Sequence, residues 1–239
     1  MKRLFSGLAG LLLLGGVASA QTYSGSRAFD GVHKNEISGH LTGGYNVISN
    51  AFVGEAVTYT RHFTERWSIR AGQQLQLVKW LVSADVTGTY RLPLRSCNLY
   101  FDARILNNLY ASRHTDELCV HVSAMLETAH FDMRLGASYI GYVNVANGGR
   151  YSELPTLTAG LGVNFLPRAH PWNIGLFLRN YDQYYYELWN LNMGLRFHCT
   201  LPWNVLRLFG EFNVRPAGTL SQLATPYETS LKLGLHYVL

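Results

Sequence analysis

The sequence predicts an all-β protein: a single up-and-down antiparallel transmembrane β-barrel of twelve strands, with ten as the alternative count. Three observations carry this expectation. From residue 36 to the C-terminus, segments long enough for a tilted membrane crossing of about 10 residues alternate apolar and polar side chains. The connections alternate between tight, aromatic- or Pro-rich turns and longer polar ones. Aromatic residues gather near both ends of the segments, where lipid–water interfaces select them.

The N-terminus is read separately. MKRLFSGLAGLLLLGGVASA has two basic residues, a short apolar run and Ala18-Ser19-Ala20, the pattern of a secretory signal peptide over residues 1–20 with cleavage before Gln21. The run is too short for a spanning helix. No Cys follows the cleavage site, so no lipid anchor is expected there. Residues 21–35 would form a periplasmic tail or partial plug, and residues 36–239 the barrel.

Composition narrows the function classes. Two of the five excess positive charges are Lys2 and Arg3, and no basic run remains, so no nucleic acid partner is expected. Glycine (23) and tyrosine (15) are abundant, as suits strands and turns. The three cysteines, Cys97, Cys119 and Cys199, lack metal-ligand spacing, so neither a metal nor another cofactor is expected. Cys97 and Cys199 fall half a circumference apart, too far for a disulfide.

In chain order, the outward set is given first and the inward set second. Residues 36–47 place Ile37, Leu41 and Tyr45 against Glu36, Ser38 and His40. Residues 52–63 break the pattern, because Val53, Val57, Tyr59 and Phe63 share a parity with Glu55 and Arg61; a bulge, or an Arg61 at the interface, would reconcile them. Residues 67–78 set Trp67, Ile69 and Leu75 against Arg70, Gly72 and Gln74, and residues 83–92 set Val86, Tyr90 and Leu92 against Asp85, Thr87 and Arg91. Residues 98–110 set Leu99, Phe101 and Ile105 against Asp102, Arg104 and Asn108. Residues 117–129 set Leu118, Val120 and Val122 against Cys119, His121, Ser123 and Glu127. Residues 132–143 set Met133, Leu135 and Tyr139 against Arg134, Gly136 and Ser138.

The second half repeats the pattern. Residues 156–165 oppose Leu157, Leu161 and Phe165 to Thr158, Gly160 and Asn164; residues 172–183 oppose Trp172, Ile174 and Leu176 to Asn173, Phe177 and Arg179. Residues 186–199 oppose Trp189, Leu195 and Phe197 to Asn192, Arg196 and His198. Residues 203–215 oppose Leu206, Leu208 and Phe212 to Arg207, Glu211 and Arg215. The last segment, YETSLKLGLHYVL, opposes Tyr227, Leu231, Leu233, Leu235 and Tyr237 to Glu228, Ser230, Lys232 and His236. A closed sheet has no free edge, so this strand must pair with the first. The charged, Gly- and Ser-rich set suits a wet or salt-bridged lumen better than a solvent face, which favours a membrane barrel over a soluble one.

These features together resemble small Gram-negative outer-membrane β-barrel proteins of porin-like architecture, over about residues 36–239. The resemblance is architectural and brings no active-site motif. It implies an outer-membrane location, lipid around the barrel, the barrel-insertion machinery as an assembly partner, and small solutes as possible cargo. Such proteins usually end in Phe or Trp; this chain ends in Leu239, with Tyr237 on the same face.

No catalytic set is expected. A lipid-face phospholipase needs an outward His beside an outward Ser, and His40, His121, His198 and His236 all have lumen parity. His114 and Asp116 read as a solvated loop, and His121, Ser123 and Glu127 as a structural network. The candidate functional residues line the lumen: Arg70, Arg91, Arg134, Arg196, Arg207 and Lys232, with Glu127, Glu211 and Glu228. Glu127 is expected to face Arg134, Lys232 to lie near Glu211, and Glu228 near Arg215. Arg70 is expected beside Arg91, and Arg196 beside Arg207, giving an arginine-biased ring that favours anions. The expected function is a narrow channel for ions or small solutes. The alternative is a non-conducting structural or interaction component of an envelope, secretion or conjugation assembly.

Overall fold

The computed structural model describes residues 35–46, 50–77, 81–110, 115–144, 147–180, 191–201, 205–216 and 226–239. The strands are β1 (Asn35–Asn46), β2 (Asn50–His62), β3 (Trp67–Gln76), β4 (Leu81–Pro93), β5 (Asn98–Tyr110), β6 (Thr115–Glu127), β7 (Phe131–Asn144), β8 (Arg150–Ser152), β9 (Thr156–Asn164), β10 (Trp172–Arg179), β11 (Asn192–Thr200), β12 (Leu206–Pro216) and β13 (Pro226–Val238). Twelve of them form a closed, up-and-down antiparallel barrel. The thirteenth, β8, is a short strand that pairs with the outer end of β7, while β9 takes the rest of β7 from Phe131 to Ser138. This strand lies in the polar stretch NVANGGRYSE, between the segments read as 132–143 and 156–165. Gly148 turns it with φ of 69°, a left-handed conformation that glycine adopts without strain.

The seam is β1 against β13, running from Glu36↔Val238 to Asn46↔Glu228. That pairing satisfies the edge groups that lipid could not. The apolar residues of each alternation face outward: Leu41, Ile69, Val86, Ile105, Val122, Leu135, Leu157, Leu176, Leu195 and Leu233 are all exposed. The polar ones face inward and are buried, including Ser38, Thr87, Arg104, Asn108, Arg196 and Glu211. A soluble barrel would bury the first set.

Aromatics mark the tight-turn rim. Trp67 packs on Tyr90 at 4.8 Å between ring centroids, and Tyr90 stacks on Phe101 at 6.5 Å. At the opposite ends of β5 and β7, Tyr110 and Tyr142 have lumen parity and donate to Glu117 and Glu153 at 3.3 and 2.9 Å. Trp80, Tyr184 to Tyr186, Trp189 and Trp203 lie outside the described residues, as do residues 1–34, which were read as signal peptide and tail, and the outer ends of the segments read as 172–183 and 186–199.

β2 carries no bulge. Its register is continuous against β1 and β3, so Glu55 and Arg61 both face outward. Arg61 is at the interface: it lies over the Phe63 ring at 5.9 Å and donates to Asn35 Oδ1 at 3.4 Å. Cys97, Cys119 and Cys199 are free thiols; Cys199 sits on the outer face of β11.

Candidate functional site

The lumen concentrates the charged side chains. Among the described residues, four groups of contacts line it. In the first, Asp85 of β4 accepts from Arg70 at 3.1 Å and from Arg104 at 3.0 Å, and Arg70 also donates to Thr87 at 2.7 Å. Arg134 of β7 pairs with Asp102 of β5 at 3.0 Å.

The second group centres on Asp132. Arg196 of β11 donates to both of its carboxylate oxygens, at 2.5 and 3.4 Å, and Arg168 contacts it as well. Arg168 belongs to the turn between β9 and β10. That turn folds inward, with the Arg168 amide donating to the Ala129 carbonyl at 2.8 Å, its Nε to the Thr128 carbonyl at 3.0 Å, and its guanidinium to Glu127 at 3.2 Å. Tyr100 completes the group by donating to Glu127 at 2.8 Å. Gly162 makes room for it: a Cβ there would fall 2.6 Å from an Arg196 nitrogen and from Asp132 Oδ1.

In the third group Glu211 of β12 pairs with Arg179 of β10 and Lys232 of β13, the latter at 3.9 Å, and accepts from Asn213 at 3.0 Å. Arg215 and Glu228 meet at 3.0 Å nearby. The fourth group, near the tight-turn end, places Glu36 between His62 at 2.6 Å and His236 at 3.1 Å. Phe52, Phe177 and Phe209 fill the gaps left by inward glycines; Phe177 also lies 4.4 Å from the Arg179 guanidinium.

Two expected contacts are present: Glu211 is opposite Lys232, and Arg215 opposite Glu228. Three are not. Glu127 is opposite Asp132 and Arg134 opposite Met125, so those two take Arg168 and Asp102 as partners instead. Arg70 is opposite Thr87, because β4 starts at Leu81 after a short connection, which slides Arg91 toward the tight-turn end to bond Asn98 at 3.0 Å. Arg196 is opposite Glu211 and Arg207 opposite Thr200, so these arginines sit at different depths rather than side by side. Arg168, Arg104 and Arg179 were absent from the expected set. Arg104 and Arg179 had lumen parity as a signal, whereas a turn arginine offers none. His121 bonds Thr158 at 2.9 Å, while Glu127 is held by Tyr100 and Arg168, so His121, Ser123 and Glu127 do not act as a unit. His114 lies outside the described residues.

The lumen charges are thus distributed along the barrel in clusters instead of one ring. Within the described strands and the Arg168 turn, Arg and Lys outnumber Asp and Glu on the lumen face. The interior is tight: Arg104, Arg196 and Glu211 are each 2% exposed.

No protein-family model and no curated protein matches the sequence. Solved structures do match. The KdgM porin in complex with disordered oligogalacturonate has a TM-score of 0.55 at 10% identity, covering 84% of this chain and 98% of that one. The translocator domain of the autotransporter NalP from Neisseria meningitidis has a TM-score of 0.53 at 13% identity, covering 89% and 91%. The NanC porin has a TM-score of 0.50 at 11% identity, covering 83% and 98%. The chain therefore has the fold of small outer-membrane β-barrels of the porin kind.

Proposed function

We propose that this protein is a narrow outer-membrane channel for small solutes, with a modest preference for anions. The observation that carries the reading is the arginine-biased lumen. Buried ion pairs contribute little stability over well-packed apolar residues of similar volume, so a merely filled barrel has no need of Arg104, Arg134, Arg168, Arg179 and Arg196 along its interior. A solute path does need them. Arginines at successive depths offer an anion a series of shallow sites, each of which it can enter by displacing a carboxylate such as Asp132.

The oligogalacturonate named with one fold neighbour is a chain of carboxylated sugars, and the same charge class suits this lumen. Size sets the limit. With Arg196 and Glu211 almost fully buried, conduction requires the cross-lumen pairs to part, and small single-channel steps are expected.

The same burial favours a second reading, a non-conducting structural component held rigid by its ion pairs. Planar-bilayer recording of the refolded barrel separates the two. Small, repeatable conductance steps support the channel. A silent membrane that demonstrably contains folded barrel supports the structural component. Either way, delivery by a signal peptide and the barrel-insertion machinery is part of the proposal.

A further inference from the structure

On the outward face of β1 to β4, Glu55 is a charged break in the alternation that interfacial snorkelling does not explain. Glu55 faces the lipid between Val53 and Val57, and has no hydrogen-bond or ion-pair partner among the described residues. It is not at the rim. Tyr59 lies toward the tight-turn end of β2, where its hydroxyl donates to Asn35 at 2.7 Å; with a strand rise of about 3.3 Å and a tilt of about 40°, the Glu55 carboxylate lies roughly 10 Å further in, near the middle of a band about 25 Å tall. A carboxylate bare in hydrocarbon is costly, and at that depth it marks a protein contact or a function.

Its surroundings point to a contact. Gln73 of β3 also faces outward, diagonal to Glu55: Glu55 is opposite Leu75, and Gln73 opposite Val57. The perpendicular through Glu55 climbs from β2 toward β8, reaching Leu75, Val82, Leu109, Asp116 and then Val143 near the outer rim. One strand spacing of about 4.8 Å along it rises about 3 Å, while the two-residue step back to Gln73 descends about 5 Å, so the two polar groups lie within about 2 Å of one depth. A pocket lined by Glu55, Val57, Gln73, Leu75 and Val82, and also by the inward Ala56 and Gln74, lies between them. Gly39 and Gly43 flank it on β1 with open space where a Cβ would stand, and Ala71 flanks it on β3. Small residues there permit close backbone approach.

We propose that this face is a two-fold interface with a second copy of the chain. Two barrels inserted in the same sense can be related only by an axis along the membrane normal, which preserves depth. Such an axis, passing in front of β2 and β3, brings Glu55 of one copy level with Gln73 of its partner, and the reverse. Gln73 already has a contact within its own chain, and its amide carries two N–H groups; one of them donates across the interface, the carboxylate accepts, and two reciprocal hydrogen bonds form in a dry setting. A single copy thus carries both halves of the complementary pair, which is what an isologous contact requires.

The test uses the refolded full-length barrel in lipid nanodiscs and mild detergent, with mass measured by light scattering or native mass spectrometry. The wild type is expected to be a dimer. Glu55→Leu with Gln73→Leu, both on the lipid face, should leave folding intact and weaken dimerisation by about tenfold or more. Exchanging the pair, Glu55→Gln with Gln73→Glu, should retain the dimer. In a background with Cys97, Cys119 and Cys199 replaced by Ser, Glu55→Cys on one tagged copy should cross-link to Gln73→Cys on a differently tagged copy. A wild-type monomer at all concentrations, a dimer indifferent to the double Leu change, or a Glu55→Cys adduct with a different protein would overturn the proposal.

Discussion

Asp132→Ala is the most informative single change in the lumen. Asp132 holds Arg196, whose side chain is 2% exposed, and also contacts Arg168, which is 7% exposed. Arg168 keeps Glu127 at 3.2 Å and the Thr128 carbonyl at 3.0 Å, so the loss falls chiefly on Arg196, which is deprived of its bidentate carboxylate. Removing one partner of a buried pair costs about 3–5 kcal/mol, because a charge is left in a poorly solvated place. The lower end, about 3 kcal/mol, is expected given the partners Arg168 retains. Urea unfolding of the barrel in lipid vesicles measures it, read as a change in midpoint at constant slope. Adding Arg196→Met to Asp132→Ala should recover most of the loss, since no charge then needs an anion. A loss under about 1 kcal/mol, the range of a solvated surface pair, would mean that water fills the lumen around Arg196 and that the tight interior described above is wrong.

Three further outcomes follow from the geometry. Gly194→Ala should destabilise the barrel by about 3 kcal/mol, because the added Cβ would stand 1.8 Å from the Phe212 carbonyl oxygen of the neighbouring strand, whereas Gly88→Ala meets nothing within 4 Å and should be near neutral; thermal unfolding of the pair gives the comparison. Leu233→Arg places a cation on the lipid face about 10 Å inside Tyr237 and should cost about 2–4 kcal/mol in vesicles, while Ser230→Arg on the lumen face of the same strand should not show that membrane penalty. Replacing Leu41 and Leu233 by Cys should give an intramolecular disulfide across the β1–β13 seam, seen as altered gel mobility without reductant; no cross-link would open the barrel at that seam.

The fold was legible because a membrane barrel writes itself in local pattern. Each strand must separate lipid-facing from lumen-facing residues at period two, and that rule needs no knowledge of distant contacts. The pairs Glu211–Lys232 and Arg215–Glu228 were legible for the same reason: consecutive strands and parity suffice to bring them together. Where a register slipped, as for Arg196 and Arg207, the cause was the turn. Parity fixes the face a residue takes, but only the turn length fixes its depth. The contacts of Asp132 were not legible at all. Arg196 is 64 residues away and reaches it across the lumen, and Arg168 comes from a turn that parity says nothing about. The Arg61 exception resolved at the interface, while Glu55 stayed an exception and became informative for that reason.

The claim that most needs measurement is that lumen arginines set the charge preference of a solute path. Record the reversal potential of the refolded barrel across a potassium chloride gradient, for the wild type and for Arg196→Ser with Arg207→Ser. The account predicts a weak chloride-selective potential that moves toward zero in the double variant and shrinks as salt is raised. A cation-selective potential, or a chloride-selective one that the double change leaves unmoved, would contradict it.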